Sequence, residues 1–251
     1  MHDSIQFHIQ RLAALRSNRS NFDAQWEEVA ARIIPAHVST FNSGGLGLGM
    51  NQGRKGTELM YDATAALALH RFGSVMDSLA TPQGQQWHRL VPANPELRKN
   101  RRVKLYLDEV NSLVFRYRYR PKANFVGQIQ KVYASYGAYG NGIIFVDDLG
   151  SEPGMRYKNL HLGESYFSEN HQGIIDTMCR AFPMKPRQLV QYFGDTVPKN
   201  IADEVNNPNK AETEYQVLHC IYPRDEYDPR RKDGKGMAFA SLHILLKEEK
   251  I

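Results

Sequence analysis

Chemistry, if this chain performs any, has few places to reside. Glycines between positions 44 and 56, followed by Lys55-Gly56-Thr57 ahead of a predicted helix, approximate a phosphate-binding loop. That chemistry needs Gly-x-x-x-x-Gly-Lys-Ser/Thr fed by a strand, so that backbone N–H groups and the lysine converge on phosphate. Here Gly56 separates Lys55 from Thr57 and the preceding element is a helix ending at Pro35, so the segment reads as a flexible connection. Asp147-Asp148 could offer carboxylates to a metal, as in a nuclease. Adjacent strand residues point to opposite faces, however, and a turn before Gly150 is the simpler role. Asp225, Glu226, Asp228 and Asp233 lack the alternating ligands and closing glutamate of a calcium loop. They share their segment with Arg224, Arg230, Arg231, Lys232 and Lys235, which makes a mixed solvated face. Nine histidines are scattered; none forms a zinc-enzyme helix motif, although His37, His88, His161 or His219 could meet in space. No Gly-x-Ser-x-Gly elbow is present. Cys179 and Cys220 fit no metal spacing and read as small buried hydrophobes in a chain from a reducing cytosol. No catalytic, cofactor-binding or metal-binding residue nominates itself, and the chain is expected not to be an enzyme.

Cationic clusters carry more weight. Arg98, Lys99, Arg101, Arg102 and Lys104 crowd the predicted start of a helix, where the positive end of the helix dipole disfavours them by ~0.3–1 kcal/mol each. An acidic partner or solvation must favour them. Arg116, Arg118, Arg120 and Lys122 lie at the other end, where the dipole accepts cations. Tyr117 and Tyr119 interleave with them, offering either base stacking or internal cation–π contacts. With a formal net charge of +5, the nine residues are candidates for contact with DNA phosphates or with another subunit, a solvated helix face being the alternative.

The elements that must position these residues are helical first and strand-like later. Ile5, Ile9, Leu12 and Leu15 predict a helix over 5–16, with polar residues 17–21 as an interruption. Phe22, Trp26, Val29 and Ile33 form the stripe of a second helix that Pro35 ends. A further helix is predicted from Thr57-Glu58 to Ala80, its alanines allowing close approach of a neighbour. Trp87–Val91 reads as a short strand. One helix then runs from Pro95, capped by Asn94, to about Tyr119, and another starts at an Asn124 cap and carries Phe125, Ile129, Val132 and Tyr136. Gly137, Gly140 and Gly142 are expected to break it. Strands are predicted at 142–147, 155–161, 165–169, 173–182, 214–222 and 237–247, with Asn170–Gly173 as a tight turn, short helices at 186–193 and 199–206, and 223–236 as an exposed hairpin loop. The fold class is α+β: a helical N-terminal layer, residues 1–139, followed by a strand-rich antiparallel region, residues 140–251. No run of about 18 apolar residues suggests a membrane span, and the first residues do not have the pattern of a signal peptide.

Several ordered pieces resemble one family. They are Trp26 through Pro35, Tyr61-Asp62-Ala63-Thr64-Ala65, Leu79-Ala80-Thr81-Pro82 with Trp87, the glycine-rich stretch Tyr136–Phe182, and Glu214–Pro223. Together they resemble the portal, or head-to-tail connecting, proteins of short-tailed, podovirus-type bacteriophages. The resemblance implies a wing-like fold and a homo-oligomeric ring of about twelve copies at one capsid vertex. Such a ring is a channel for DNA in genome packaging and ejection; it nucleates capsid assembly and joins head to tail. It implies contacts with the terminase packaging motor, scaffold, capsid and tail adaptor proteins, and non-specific contact with double-stranded DNA. It implies no cofactor and no membrane, and residence in the virion after assembly in the host cytoplasm. Because the chain stops at Ile251, the resemblance also implies a partial product lacking the channel helix and clip. The competing expectations are a stand-alone DNA-binding module built on the basic helix ends, and a metal-dependent nuclease.

Overall fold

The computed structural model describes residues 4–38, 40, 41, 57, 60–150 and 153–246; the glycine-rich segment falls almost wholly outside them. Helices α1 (Ile5–Ile33), α2 (Thr64–Ala80), α3 (Pro95–Lys99), α4 (Arg101–Arg118) and α5 (Phe125–Tyr139) come first. Strands β1 (Ile143–Asp148), β2 (Met155–Leu160), β3 (Ser165–Glu169) and β4 (Ile175–Met184) follow, then α6 (Pro186–Phe193), α7 (Lys199–Glu204), β5 (Tyr215–Pro223) and β6 (Phe239–Leu245). The α+β class holds. The described residues fall into two compact units: one joins those within 1–31 and 35–57 to those within 162–251, and the other takes those within 32–34 and 58–161.

The first unit is an antiparallel sheet of order β3-β4-β5-β6 with helices on its faces. Alternation sends Tyr166, Cys179, Cys220 and Leu242, which lie in register across the four strands, to one face. Leu12, flanked by Ile9 and Leu15 of α1, packs into the core there with Ala181, Leu218, Tyr222, Ala240 and Ile244. Across the opposite face run Ser165, Arg180, His219 and His243, again in register. Beside them Leu189 of α6 and Ile201 of α7 close over Val217.

Helix α1 is unbroken through residues 17–21, contrary to the expected interruption. The stretch contains neither proline nor glycine, and Ser20 Oγ donates to the Ser17 carbonyl at 2.8 Å, so polarity alone does not end the helix. Its Arg19 turns inward. The guanidinium donates to the carbonyls of Leu162 (2.7 Å), Gly163 (3.1 Å) and Ser165 (2.5 Å). It also lies 3.8 Å above the Tyr166 ring and faces Asp23 at 2.8 Å. Burial holds the Asp23 carboxyl above its ordinary range despite the pull of Arg19.

In the second unit α2 packs on α5, and the β1–β2 hairpin packs on α5 and α4. Helix α2 starts at Thr64 rather than at Thr57-Glu58, of which Glu58 is not described, because Asp62 Oδ1 accepts the Thr64 N–H at 2.8 Å. The close approach expected from its alanines is made by Gly137, which stays inside α5. A Cβ there would come within 2.7 Å of Phe72 and 2.8 Å of Leu69. The break comes at Gly140, whose φ of +76° only glycine adopts freely. Asn94 caps α3 as expected, but Asn100 interrupts the long helix predicted from 95 to 119. Its backbone is extended and its side chain accepts the Arg102 N–H at 2.9 Å, starting α4 afresh. Asn124 stands at the start of α5 in the left-handed conformation, φ +52°, without a side-chain cap.

Residues Trp87–Val91 form no strand. Their partner is a side chain: buried Asn111 of α4 accepts the Leu90 N–H at 2.7 Å and donates to its carbonyl at 3.2 Å. Replacing it with the similarly sized leucine, Asn111→Leu, strands both backbone groups. The expected cost is about 1–3 kcal/mol, read as a lowered urea midpoint with an unchanged slope.

Candidate functional site

The break at Asn100 divides the first cationic cluster. Arg98 and Lys99 end α3, where the dipole favours them, and only Arg101, Arg102 and Lys104 occupy the first turn of α4. Arg98 Nε donates to the Pro92 carbonyl at 2.8 Å, and Lys99 pairs with Glu96 at 3.1 Å. Arg101, Arg102 and Lys104 are exposed, and their side chains have no ion-pair partner among the described residues. The same elements also expose apolar side chains: Leu97, Leu105 and Tyr106, the last 66% exposed. Cation and hydrocarbon thus share one stretch of surface.

The second cluster is not a patch. Arg118 turns inward, its Nε donating to Tyr157 Oη at 3.1 Å and its guanidinium lying 4.8 Å above the Trp87 ring and 5.4 Å from that of Phe125. Phe125 stacks in parallel on Trp87 at 6.2 Å and meets Tyr157 edge-on at 4.9 Å, so Arg118 completes an aromatic core. Arg120 covers the Tyr117 ring at 3.8 Å, which occupies a tyrosine that could have stacked on a base. Arg116 and Lys122 face solvent.

The acidic candidates are employed locally. Asp147 pairs with Arg156, its register partner, at 2.9 Å, and Asp148 Oδ1 accepts the Gly150 N–H at 3.2 Å, so the pair serves a hairpin turn. Asp233 binds Arg231 Nε at 3.0 Å, and Asp228 accepts the Arg230 N–H at 3.0 Å. Among the described residues no three His, Cys, Asp or Glu side chains are arranged to hold a metal. His219 instead has a partner within its own sheet. The partner of His219 is His243, which sequence reasoning missed; it appears only once β5 and β6 are paired in register. Their rings stack at 4.0 Å and 7°. His219 Nε2 contacts Ser241 Oγ at 2.8 Å, and His243 borders a cleft of about 220 Å³ lined by Leu189, Phe193, Val197 and Leu245.

Burial first, then His243 and Arg180, push His219 down to about 4. His243 is lowered by burial and by Arg180, which is itself paired with Glu164 at 2.7 Å. Both rings are therefore neutral in the fold near pH 7, whereas an unfolded chain protonates them near pH 6.5. Their contribution to stability is complete above about pH 6.5 and is lost as pH falls toward 4; for His219 alone this amounts to roughly 3 kcal/mol. Urea midpoints from pH 7.5 to 4.5 should fall accordingly, and His219→Phe should flatten that fall. Truncation separates the cations in the same way. Arg118→Ala should cost about 1–3 kcal/mol through its lost ring contacts and hydrogen bond. Arg101→Ala or Lys104→Ala should stay within about 0.5 kcal/mol, both read from urea midpoints.

Comparison with known proteins bears on what such a surface is for. The sequence profile of the family described as "Bacteriophage head to tail connecting protein" matches residues 6–251. The chain is 27% identical over 242 residues to the portal protein of Salmonella phage epsilon15, covering 94% of this chain and 41% of that protein. It is 25% identical over 238 residues to a probable portal protein of Bordetella phage BPP-1, with the same 94% and 41% coverage. The chain therefore spans about 41% of the length of the curated relatives it matches.

Proposed function

Because the chain belongs to the bacteriophage head-to-tail connecting protein family, we propose that it supplies the wing part of a portal subunit. The observation that carries this reading is the family match from residue 6 to 251, joined by two relatives named as portal proteins. The role is structural rather than enzymatic. Like copies, about twelve, close a ring at one capsid vertex of the virion. That ring assembles in the host cytoplasm and meets scaffold, capsid, packaging motor and tail adaptor. Double-stranded DNA passes through it without sequence-specific contact.

Two features of the second unit support a role in contacts between copies. Helix α2 contains no buried residue, and Phe72, Val75 and Leu79 are 36%, 51% and 77% exposed. With Ala65 and Ala68 they fall at heptad spacing; Phe72 already lies against Tyr136 and Gly137 of α5, and Val75 and Leu79 continue the stripe into solvent, where another helix can cover it. Arg98, Lys99, Arg101, Arg102 and Lys104, with exposed Arg116 and Lys122, are proposed to contact acidic groups of a neighbouring copy or DNA phosphates. Arg118 and Arg120 serve this surface indirectly, through the fold.

Electron microscopy of the complete gene product at high concentration should show rings with a central hole; monomers alone would contradict the reading. Val75→Glu with Leu79→Glu should leave the urea midpoint nearly unchanged while abolishing rings. Substituting Arg98, Lys99, Arg101 and Arg102 by glutamine separates the two uses of the cations. Loss of DNA retention, with the salt slope reduced by ~0.9 per phosphate contact removed, marks DNA contacts. Unchanged retention with impaired rings marks subunit contacts.

A further inference from the structure

The chain has two cysteines, 41 positions apart, and the fold sets them face to face. Cys179 of β4 and Cys220 of β5 are direct register partners, both free and fully buried. Their sulfurs lie 2.7 Å apart. Opposed residues of an antiparallel pair have Cα atoms ~4.5–5.5 Å apart, within the ~4.4–6.8 Å span that a disulfide bridges without moving backbone. We propose that Cys179 and Cys220 are a redox modification site, a thiol pair that closes into a cross-strand disulfide by exchange with a small disulfide such as oxidised glutathione. The inference is independent of the assembly role.

The step balances. The Cys179 thiolate attacks one sulfur of oxidised glutathione and expels the other half as a thiolate. Cys220 then attacks the Cys179 sulfur of the mixed disulfide and expels the second glutathione. The two cysteines lose two electrons, oxidised glutathione gains them, and the two protons leave on two glutathione thiols. Cys179 is the better first nucleophile. Its hydrogen bond with the Cys220 thiol and the nearby Arg11 together outweigh burial and hold it below the ordinary thiol range. Cys220 is held far above that range by the same hydrogen bond and by burial. Arg11 is fixed in place by donating to Thr177 Oγ1 at 3.2 Å; Thr177 is two residues along β4, on the same face as Cys179.

Access is gated. The sulfurs belong to the core that Leu12, Ile9 and Leu15 of α1 cover, so an oxidant of glutathione size reaches them only when this helix lifts. A chain made in a reducing cytosol carries the open pair, and one held in an oxidising medium acquires the bridge slowly. Closing it fixes the β4–β5 register at the centre of the sheet.

The test is incubation of the purified protein with oxidised glutathione, followed by alkylation in denaturant and intact-mass measurement. Expected are loss of two hydrogen atoms, no alkylated thiol, and a cross-linked peptide holding both cysteines. The melting midpoint should rise by about 5 °C or more and return on reduction. Cys220→Ala should stop at the Cys179–glutathione mixed disulfide. Ile9→Ala, which loosens the covering helix, should speed closure in the otherwise unchanged pair. Two alkylatable thiols after prolonged oxidation, disulfides only between chains, or glutathione retained on both cysteines would overturn the proposal.

Discussion

An inward-turned guanidinium, that of Arg19, ties α1 to the start of the sheet in the first unit. Arg19 reaches from the middle of α1 to the carbonyls of Leu162, Gly163 and Ser165, lies above Tyr166, and faces Asp23. Carbonyls in the turn entering β3 gain a charged donor, and a largely covered cation gains acceptors in place of water. Residues over 140 positions apart are thereby held in one compact unit. With α1 fixed at this point, Leu12, Ile9 and Leu15 have a defined place on the sheet, and the two cysteines beneath them are closed off from water.

The sheet itself is organised by register. One row, Tyr166-Cys179-Cys220-Leu242, is apolar and faces α1; the other, Ser165-Arg180-His219-His243, is polar, with Ser165 and Arg180 buried and the two histidines half-buried. The second row contains titratable groups in pairs, Arg180 with Glu164 and His219 with His243. This is the behaviour of a frame. The second unit differs, with an aromatic core around Phe125 and surface helices that keep apolar and cationic side chains in solvent. A protein that works by touching other proteins needs both properties, a frame that holds its shape and a surface left unsatisfied.

Local physics was legible in the sequence. Alternation and turn residues located β3 and the Asn170–Gly173 turn, proline and asparagine located the start of α3, and the segregation of helices from strands identified the class. What escaped depended on partners distant in sequence. Residues 17–21 looked like a break because all five are polar, whereas Arg19 among them is received by carbonyls near residue 163. Trp87–Val91 looked like a strand from its residue types, but an Asn111 side chain rather than another strand bonds the Leu90 backbone. Gly137 looked like a breaker because the side chains of Leu69 and Phe72 that require its missing Cβ lie on another helix. Of the cationic candidates, Arg118 could be recognised as structural only once Trp87, Phe125 and Tyr157 were assembled around it. The His219–His243 stack likewise exists only in the paired strands.

The central claim is a division of labour between a closed frame and an open contact surface. Hydrogen exchange, compared between the isolated chain and the same segment within assembled particles, tests it most directly. Assembly should slow exchange in α2, α3 and α4 while leaving α1 and strands β4 and β5 unchanged. New protection confined to α1 and the sheet, with α2 to α4 exchanging as in the isolated chain, would contradict it.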